Sequence, residues 1–325
     1  MRVLADLHHK DLFESLRLLF EVRLGADLYR PFGMDWWHQG FWKYFPAIET
    51  AQQYLNPPHN SIVKDGICYI PPRDHFGAYK GIELELFKSF QFDIIISSYP
   101  ANFYVFEQLR KQYHPKAKHI FQMGNTWPVP VGCLNLLNST AVEPSAHINH
   151  VRYHQEFSTK IFKPVALVNP KSVVNLQHYM NDFATFSSLE QQLPDWNFKA
   201  YGAGNRDGLL NESLLPDTFA NTGFIFHVKK QDEGYGYNLH RAMACGRPLI
   251  TDMSYFATKI SRPLLTDGVT CLDIRNKSFA QIISELTNMA DNYQTYSDNA
   301  YQRFCSVVDF DAEFVQIQNF LANLR

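Results

Sequence analysis

Apolar positions along the 325-residue chain fall into two patterns, short unbroken runs and longer stretches with an apolar residue every third or fourth place. The first pattern predicts buried strands and the second amphipathic helices. Residues 2–7 predict a strand. Residues 10–24 predict a helix, with Leu12, Phe13, Leu16, Leu19, Phe20 and Leu24 at helical spacing and Gly25 as the stop. Strands follow over 92–98, 118–122 and 133–137, with a helix over 101–113. The second half repeats the plan. It predicts strands over 164–168, 197–201, 223–228 and 248–251, and helices over 175–192, 237–245 and 278–292, with more helix to the C-terminus. Strands alternating with helices imply an α/β fold, a parallel sheet with helices on its faces. A boundary near residues 155–163 divides the chain into a domain over 1–160 and another over 161–304.

One stretch breaks the alternation. Residues 29–45 hold Trp36, Trp37 and Trp42 among other aromatics, interrupted by Pro31, Gly33 and Gly40, and Pro- and Gly-rich sequence runs on to about residue 77. This reads as an irregular aromatic insertion. Its rings either pack locally or stack on a sugar or a base. Asp35, Trp36 and His38 are its candidate functional members.

Charge and cysteine content narrow the classes. Lys plus Arg number 30 against 32 Asp plus Glu, so no broad basic surface for nucleic acid is expected. The five cysteines are scattered without a CxxC pair, which speaks against a zinc site or a disulfide framework and for a reducing compartment. The N-terminus carries no secretory pattern, and no apolar run approaches the ~18 residues of a membrane span. A cytoplasmic protein is expected, in the host cytoplasm if the source is viral.

The strongest chemical signal is QDEGYGYNLHRAMACGRPLITD over residues 231–252. A strand ends near Lys230, a loop carries Glu233, Gly234, Tyr235 and Gly236, and a helix follows. A helix N-terminus reached through glycines offers free backbone N–H groups and the positive end of a dipole, which suits phosphate or sugar hydroxyls.

This segment resembles the donor-binding motif of retaining GT-B glycosyltransferases of the family 4 type, roughly E-G-F-G-L, three residues, then E-A-M-A-C-G-x-P-V-I. Glu233 to Tyr237 and Arg241 to Ile250 carry the match, and residues 264–274 (LLTDGVTCLDI) resemble the V-E-D-G-x-N-G-L-L-V segment that follows. The resemblance implies two Rossmann-like domains with a central cleft, the first on the acceptor side and the second binding a nucleotide-diphospho-sugar, UDP- or GDP-linked. A C-terminal helix over about 305–325 is expected to pack back on the first domain. The resemblance also implies that Glu233 contacts the donor sugar and that the amides of Gly234, Tyr235 and Gly236 approach sugar and phosphate. The family's second Glu, which holds the ribose, is replaced here by Arg241. A guanidinium can still bond ribose oxygens or pair with phosphate.

Loops at the carboxyl ends of second-domain strands supply further phosphate candidates. These are Lys171, Arg206, Lys229 and Lys230, with Lys171 and Arg206 the preferred pair, and the Gly202–Gly204 turn. That turn is not a dinucleotide fingerprint, because its third glycine is misplaced and no acidic residue ends a strand about 20 residues on. His8 and His9 follow the first strand, where a histidine serves as general base, bonds the donor sugar, or merely caps a helix. Ser98, Tyr99 and Asn125 end other first-domain strands on the acceptor side. Asp309-Phe310-Asp311 reads as a helix cap rather than a metal-binding DxD, and no metal or cofactor is expected.

The function expected is metal-independent transfer of a sugar, a hexose above all, to a hydroxyl acceptor with retention. The acceptor is a glycan, a small molecule or modified DNA. Two alternatives stand beside it, a DNA-modifying glycosyltransferase acting on hydroxymethylated bases and a non-catalytic sugar-nucleotide- or glycan-binding protein.

Overall fold

The structure is a computed structural model that describes every residue except 7, 8, 42–51, 53, 54, 75, 126, 177–180, 203 and 231–233. The chain forms two compact units, one of Met1–Phe157 with Phe310–Arg325 and one of Ser158–Asp309.

The first unit is built on strands β1 (Arg2–Ala5), β2 (Asp27–Pro31), β3 (Ile62–Lys64), β4 (Ile67–Ile70), β5 (Tyr79–Ile82), β6 (Ile94–Ser97), β7 (Lys118–Met123), β8 (Asn135–Asn138) and β9 (Asn149–Arg152). Their order across the sheet is β3-β4-β5-β2-β1-β6-β7-β8-β9. The pairs β3·β4 and β4·β5 are antiparallel, and the other neighbours are parallel. Helices α1 (Lys10–Arg17), α2 (Asp35–His38), α3 (Leu84–Ser89) and α4 (Pro100–Tyr113) connect them. Helix α1 runs on as a π-helical segment, Leu18–Arg23. The central strands are apolar throughout because both faces are covered. Alternation along them sorts the core: Val3, Ala5, Ile94 and Ile96 pack with Leu12, Phe13 and Leu16 of α1 and Phe20 of the π-helical segment, whereas Leu4 and Ile95 join Trp36, Phe87 and Phe106 on the other face.

The aromatic insertion is more regular than its sequence suggests. Residues 27–31 form β2, and the Pro- and Gly-rich stretch contains β3 and β4, which form a meander with β5 just beyond it. Trp36 lies in the core, 5.0 Å from the Phe87 ring and 6.0 Å from Phe41 and Phe106, with its indole N–H donating to the Ile82 carbonyl at 2.9 Å. Such tilted and edge-on ring pairs suit the aromatic quadrupole.

The second unit holds β10 (Ser172–Asn175), β11 (Asn197–Ala200), β12 (Phe224–His227), β13 (Leu249–Thr251) and β14 (Cys271–Asp273), all parallel, in the order β11-β10-β12-β13-β14. Its helices are α5 (Phe183–Gln192), α6 (Leu215–Ala220), α7 (Tyr237–Ala244), α8 (Phe279–Asp291) and α9 (Tyr293–Val307). The predicted strand over 164–168 is not a strand. Pro164 has no N–H for a ladder, and Val168 is 99% exposed. The first strand is β10 instead, followed by α5, which begins later than the helix predicted from residue 175. Both polar ends of β10 are buried and bonded: Ser172 Oγ donates to the Asn169 carbonyl and accepts from the Gly223 amide, and Asn175 Oδ1 accepts from Asn181.

Helix α10 (Phe310–Ala322) belongs to the first unit. Ile317 and Phe320 enter the α1 side of its core. Glu313 accepts from the His154 amide at 2.6 Å, and Asp311 pairs with Arg23 at 2.7 Å. Among the described residues no helix is long and apolar enough to cross a membrane.

Candidate functional sites, one at the carboxyl end of each sheet

Each sheet has a point where the chain reverses its direction of strand addition. In the first unit the chain adds β2 on one side of β1 and β6 on the other. In the second it adds β11 on one side of β10 and β12 on the other. Loops leaving the two flanking strands diverge there, and ligands of open α/β sheets bind in the resulting crevice.

At the first of these points the chain places a buried carboxylate. Asp6 directly follows β1 and is 1% exposed. Both its oxygens accept from the Ser98 amide at 2.9 Å, Oδ1 also accepts from the Ser98 hydroxyl, and Oδ2 accepts from Asn102 Nδ2 at 3.2 Å. Burial pushes its pKa up to about 6, against the lowering pull of the Ser98 hydroxyl and amide, Asn102 and the Tyr99 amide. Asp6 thereby ties the end of β1 to the start of α4. Sequence reading missed it, because an acidic residue after a short strand is common and its burial is a tertiary fact.

The predicted first-unit residues divide around this knot. His8 lies outside the described residues. His9 caps α1, its Nδ1 accepting from the Asp11 amide at 3.3 Å. Ser98 is buried and committed to Asp6. Tyr99 stands edge-on to Trp127 at 4.6 Å, and Asn125 is half-buried after β7. Asp35 and His38 are exposed on α2, whereas Trp36 is sealed in the core. A side chain with no exposed surface cannot stack on a ligand, so Trp36 leaves the acceptor-side set.

A Ser–His–acid line also runs through this unit. Ser97 Oγ lies 3.0 Å from His119 Nε2, and His119 Nδ1 lies 2.9 Å from Glu107. Burial raises Glu107, but its bonds from Arg110 and His119 outweigh that and hold it well below the usual carboxylate range. Burial lowers His119. Ser97 is fully buried within β6, out of reach of any substrate, so the line braces β6 against β7 and α4 rather than acting as a nucleophilic triad. A cavity of about 490 Å³ between Ile62, Tyr69, Tyr79 and Lys80 lies at the amino end of β5, opposite the edge where β1 and β6 diverge.

In the second unit, β12 and α7 frame the motif. Glu233 lies outside the described residues. Gly236 is the N-cap of α7 at φ +82°, a left-handed conformation that L side chains adopt only with strain. Its carbonyl accepts from the His240 amide and lies 2.9 Å from His240 Nδ1. Tyr235 is buried and stacks on the His240 ring at 4.1 Å, so what it can offer a ligand is backbone. Gly234 is half-buried beside it. Arg241 is 2% exposed, its guanidinium 4.7 Å from the Phe162 ring and 5.1 Å from Tyr237. Two aromatic faces thus accommodate a cation that the motif position normally lacks.

The predicted phosphate contacts do not converge. Lys171 precedes β10 rather than following a strand, which puts it at the amino edge of the sheet, 3.7 Å from Asp291. Arg206 follows the edge strand β11 but turns back, bonding Glu190 at 2.6 Å and the Phe198 carbonyl at 2.8 Å. Lys230 is 54% exposed and pairs with Asp182 at 2.9 Å. Gly202 and Gly204, at φ +140° and +78°, let the loop after β11 fold on itself, with the Gly202 amide donating to the Gly208 carbonyl. Lys229, also among the phosphate candidates, and Asn181, which was not, lie at the switch point itself. Asn181 and Lys229 form a bridge between the loops that flank it, and both are buried. Among the described residues, no group of three or more His, Cys, Asp or Glu is placed to hold a metal ion.

No known family profile matches the chain, and no curated protein matches it in sequence. Solved structures do match in fold along the full length. Anabaena HepE, in complex with UDP and glucose, has a TM-score of 0.63 at 11% identity, covering 100% of both chains. A glycosyltransferase from Rickettsia africae has a TM-score of 0.61 at 10% identity over 99% of both. An alpha-glucosyltransferase in complex with UDP-glucose and DNA containing an abasic site has a TM-score of 0.60 at 9% identity, covering 99% of this chain and 100% of that one. The fold is α/β of the GT-B type, with two Rossmann-like domains.

Proposed function

We propose that this chain is a glycosyltransferase that moves a hexose from a nucleotide-diphospho-sugar to a hydroxyl acceptor with retention and without a metal ion. The second unit is the donor side and the first the acceptor side. The observation that carries this reading is the full-length likeness to a chain holding UDP and glucose, in a molecule whose own glycine-led α7 begins beside the switch point. Glu233 takes the donor sugar. The amides of Gly234, Tyr235 and Gly236 face sugar and phosphate, with the Gly202–Gly204 turn alongside. The departing diphosphate gains charge as the glycosidic bond breaks, so fixed positive groups and helix-end amides aimed at it lower the barrier.

The test is binding and turnover of UDP-, GDP-, ADP- and TDP-sugars in the presence of a chelator. Wild type is stabilised by one of them and transfers or hydrolyses it, whereas Glu233→Ala keeps the fold and loses turnover. A flat response to all four donors, or an active Glu233→Ala, defeats the assignment.

A second reading, a DNA-modifying glycosyltransferase, is favoured by the likeness to the alpha-glucosyltransferase solved with DNA. The net charge of −2 weighs against it. DNA binding at low salt that falls steeply as salt rises supports it, and no binding at low salt removes it. A non-catalytic sugar-nucleotide- or glycan-binding protein is the outcome if a donor binds and no acceptor or water ever receives the sugar.

A further inference from the structure

The cavity of about 490 Å³ at the amino end of β5 has the start of β3 and the end of β4 in its wall. Its size falls within the ~300–1,000 Å³ of small-molecule sites. It lies at the opposite end of the first unit's sheet from Asp6, Ser98 and Asn125. Strand register builds the wall. Ile62, Tyr69 and Lys80 stand directly opposite one another on β3, β4 and β5, and Ile70 opposes Tyr79 beside them. Ile62 is 68% exposed and Tyr69 43%. Among the described residues no other ring and no cation lies against Tyr69, so no π contact within the protein claims its ring.

Polar groups edge this apolar wall, and most are uncommitted. Among the described residues, neither the Asn60 side chain nor the Tyr69 and Tyr79 hydroxyls hydrogen-bond to protein. Glu21 uses one oxygen to accept from the Leu28 amide at 3.3 Å and keeps the other. The one cation among the described residues of the wall, Lys80, is held by Asp27 at 2.6 Å. These features select a ligand class. Phosphate-bearing chains are gripped by uncommitted Lys and Arg, and Lys80 is already taken. A lipid tail would strip water from Asn60 and Glu21 without replacing the hydrogen bonds lost. A neutral sugar ring meets both demands. Its C–H faces pack on apolar and aromatic surface, and the hydroxyls around its edge donate to a carboxylate and pair with an amide.

We propose that this cavity binds a neutral saccharide unit, with the Tyr69 ring against a C–H face of the sugar and Asn60 and Glu21 taking its hydroxyls. The site is separate from the crevice at the carboxyl end of the same sheet, and it does not rest on the glycosyltransferase reading. It holds a glycan away from the residues proposed to meet donor or acceptor, whether or not the chain turns one over.

Wild type, Tyr69→Ala and Tyr69→Phe are applied to an array of neutral and acidic oligosaccharides, and the best neutral one is then titrated by calorimetry. Wild type is expected to retain neutral oligosaccharides. Tyr69→Ala weakens them on the order of 10-fold, the worth of a stacked aromatic contact, and Tyr69→Phe, which keeps the ring, holds most of the affinity. Nucleotide-sugar binding is the same in all three. A wild type that retains no neutral oligosaccharide, or only acidic ones, overturns the proposal. Equal affinity in Tyr69→Ala does so too, because it puts the glycan elsewhere, the crevice included. Should Tyr69→Ala not fold, fluorotyrosine is incorporated and the Tyr69 fluorine resonance, assigned by its absence in Tyr69→Phe, moves with the saccharide and not with dodecylphosphocholine. A resonance that ignores saturating saccharide, or that moves with the detergent alone, overturns the proposal equally. Tyr69-dependent saccharide binding in a chain that binds no nucleotide sugar sustains this inference and defeats the glycosyltransferase reading. Donor turnover with no saccharide held at Tyr69 does the reverse.

Discussion

Asp6→Asn isolates the cost of the carboxylate buried at the first unit's switch point. The Asp6 carboxyl titrates near 6 in the folded chain against 3.8 as its ordinary value, and the difference of 2.2 corresponds to about 3 kcal/mol at 1.36 kcal/mol for each unit of pKa. The sign follows from proton counts. Between pH 4 and 6 the folded chain holds a proton on Asp6 that the unfolded chain has released, so stability falls as pH rises through that window. Below it, both states are protonated and no penalty acts. Above it, both are ionised and the full penalty remains. Asp6→Asn carries no titratable group there, so other carboxylates cancel when the two proteins are compared at each pH. Urea denaturation of both from pH 4 to 7.5, followed by aromatic fluorescence of the Trp-rich first unit, gives the difference directly. Wild type loses about 2–3 kcal/mol relative to Asp6→Asn across that range. The asparagine offers an N–H₂ where Ser98 and Asn102 both donate, which lowers the variant by a constant offset without changing the slope. Parallel stability curves would refute the reasoning, because they mean that the carboxyl titrates alike in both states.

Three further outcomes follow from packing and from the site. Arg247→Met leaves three backbone carbonyls, those of Val165, Phe219 and Ala220, without their guanidinium donor, and lowers the stability of the second unit by about 3 kcal/mol or more in urea denaturation. Trp36→Ala opens a void among Phe41, Phe87 and Phe106 and costs the first unit about 3–5 kcal/mol, read as a lower Tm. Asp35→Ala and His38→Ala, on the exposed part of the same short helix, leave the Tm in place, so any change they make in steady-state kinetics reports on acceptor use.

The alternation of strand and helix was legible because interior parallel strands must be apolar on both faces. β1, β6 and β12 show that as short runs that no turn residue interrupts. Where the sequence misled, polar groups had been satisfied by distant partners. β10 begins and ends in Ser172 and Asn175, which look like loop residues until the Gly223 amide and Asn181 bond them. The segment 164–168 looks like a strand by composition but instead hands the Val165 carbonyl to Arg247. The meander β3–β5 was hidden for the opposite reason: β3 is exposed along its length, so it carries no buried pattern to read.

The site divides along the same line. The glycine-led loop and α7 were readable because Gly236 must adopt a positive φ, a requirement that the sequence displays directly. Asp6 was not, since it belongs to no motif and gains its meaning from strand order. If transfer proceeds by stabilising the departing diphosphate, that order also explains why Arg241 is tolerated where the related motif has a carboxylate. Charge is worth most where water is excluded, and Arg241 is nearly fully buried. A guanidinium between Phe162 and Tyr237 adds a fixed cation at the α7 end of the motif.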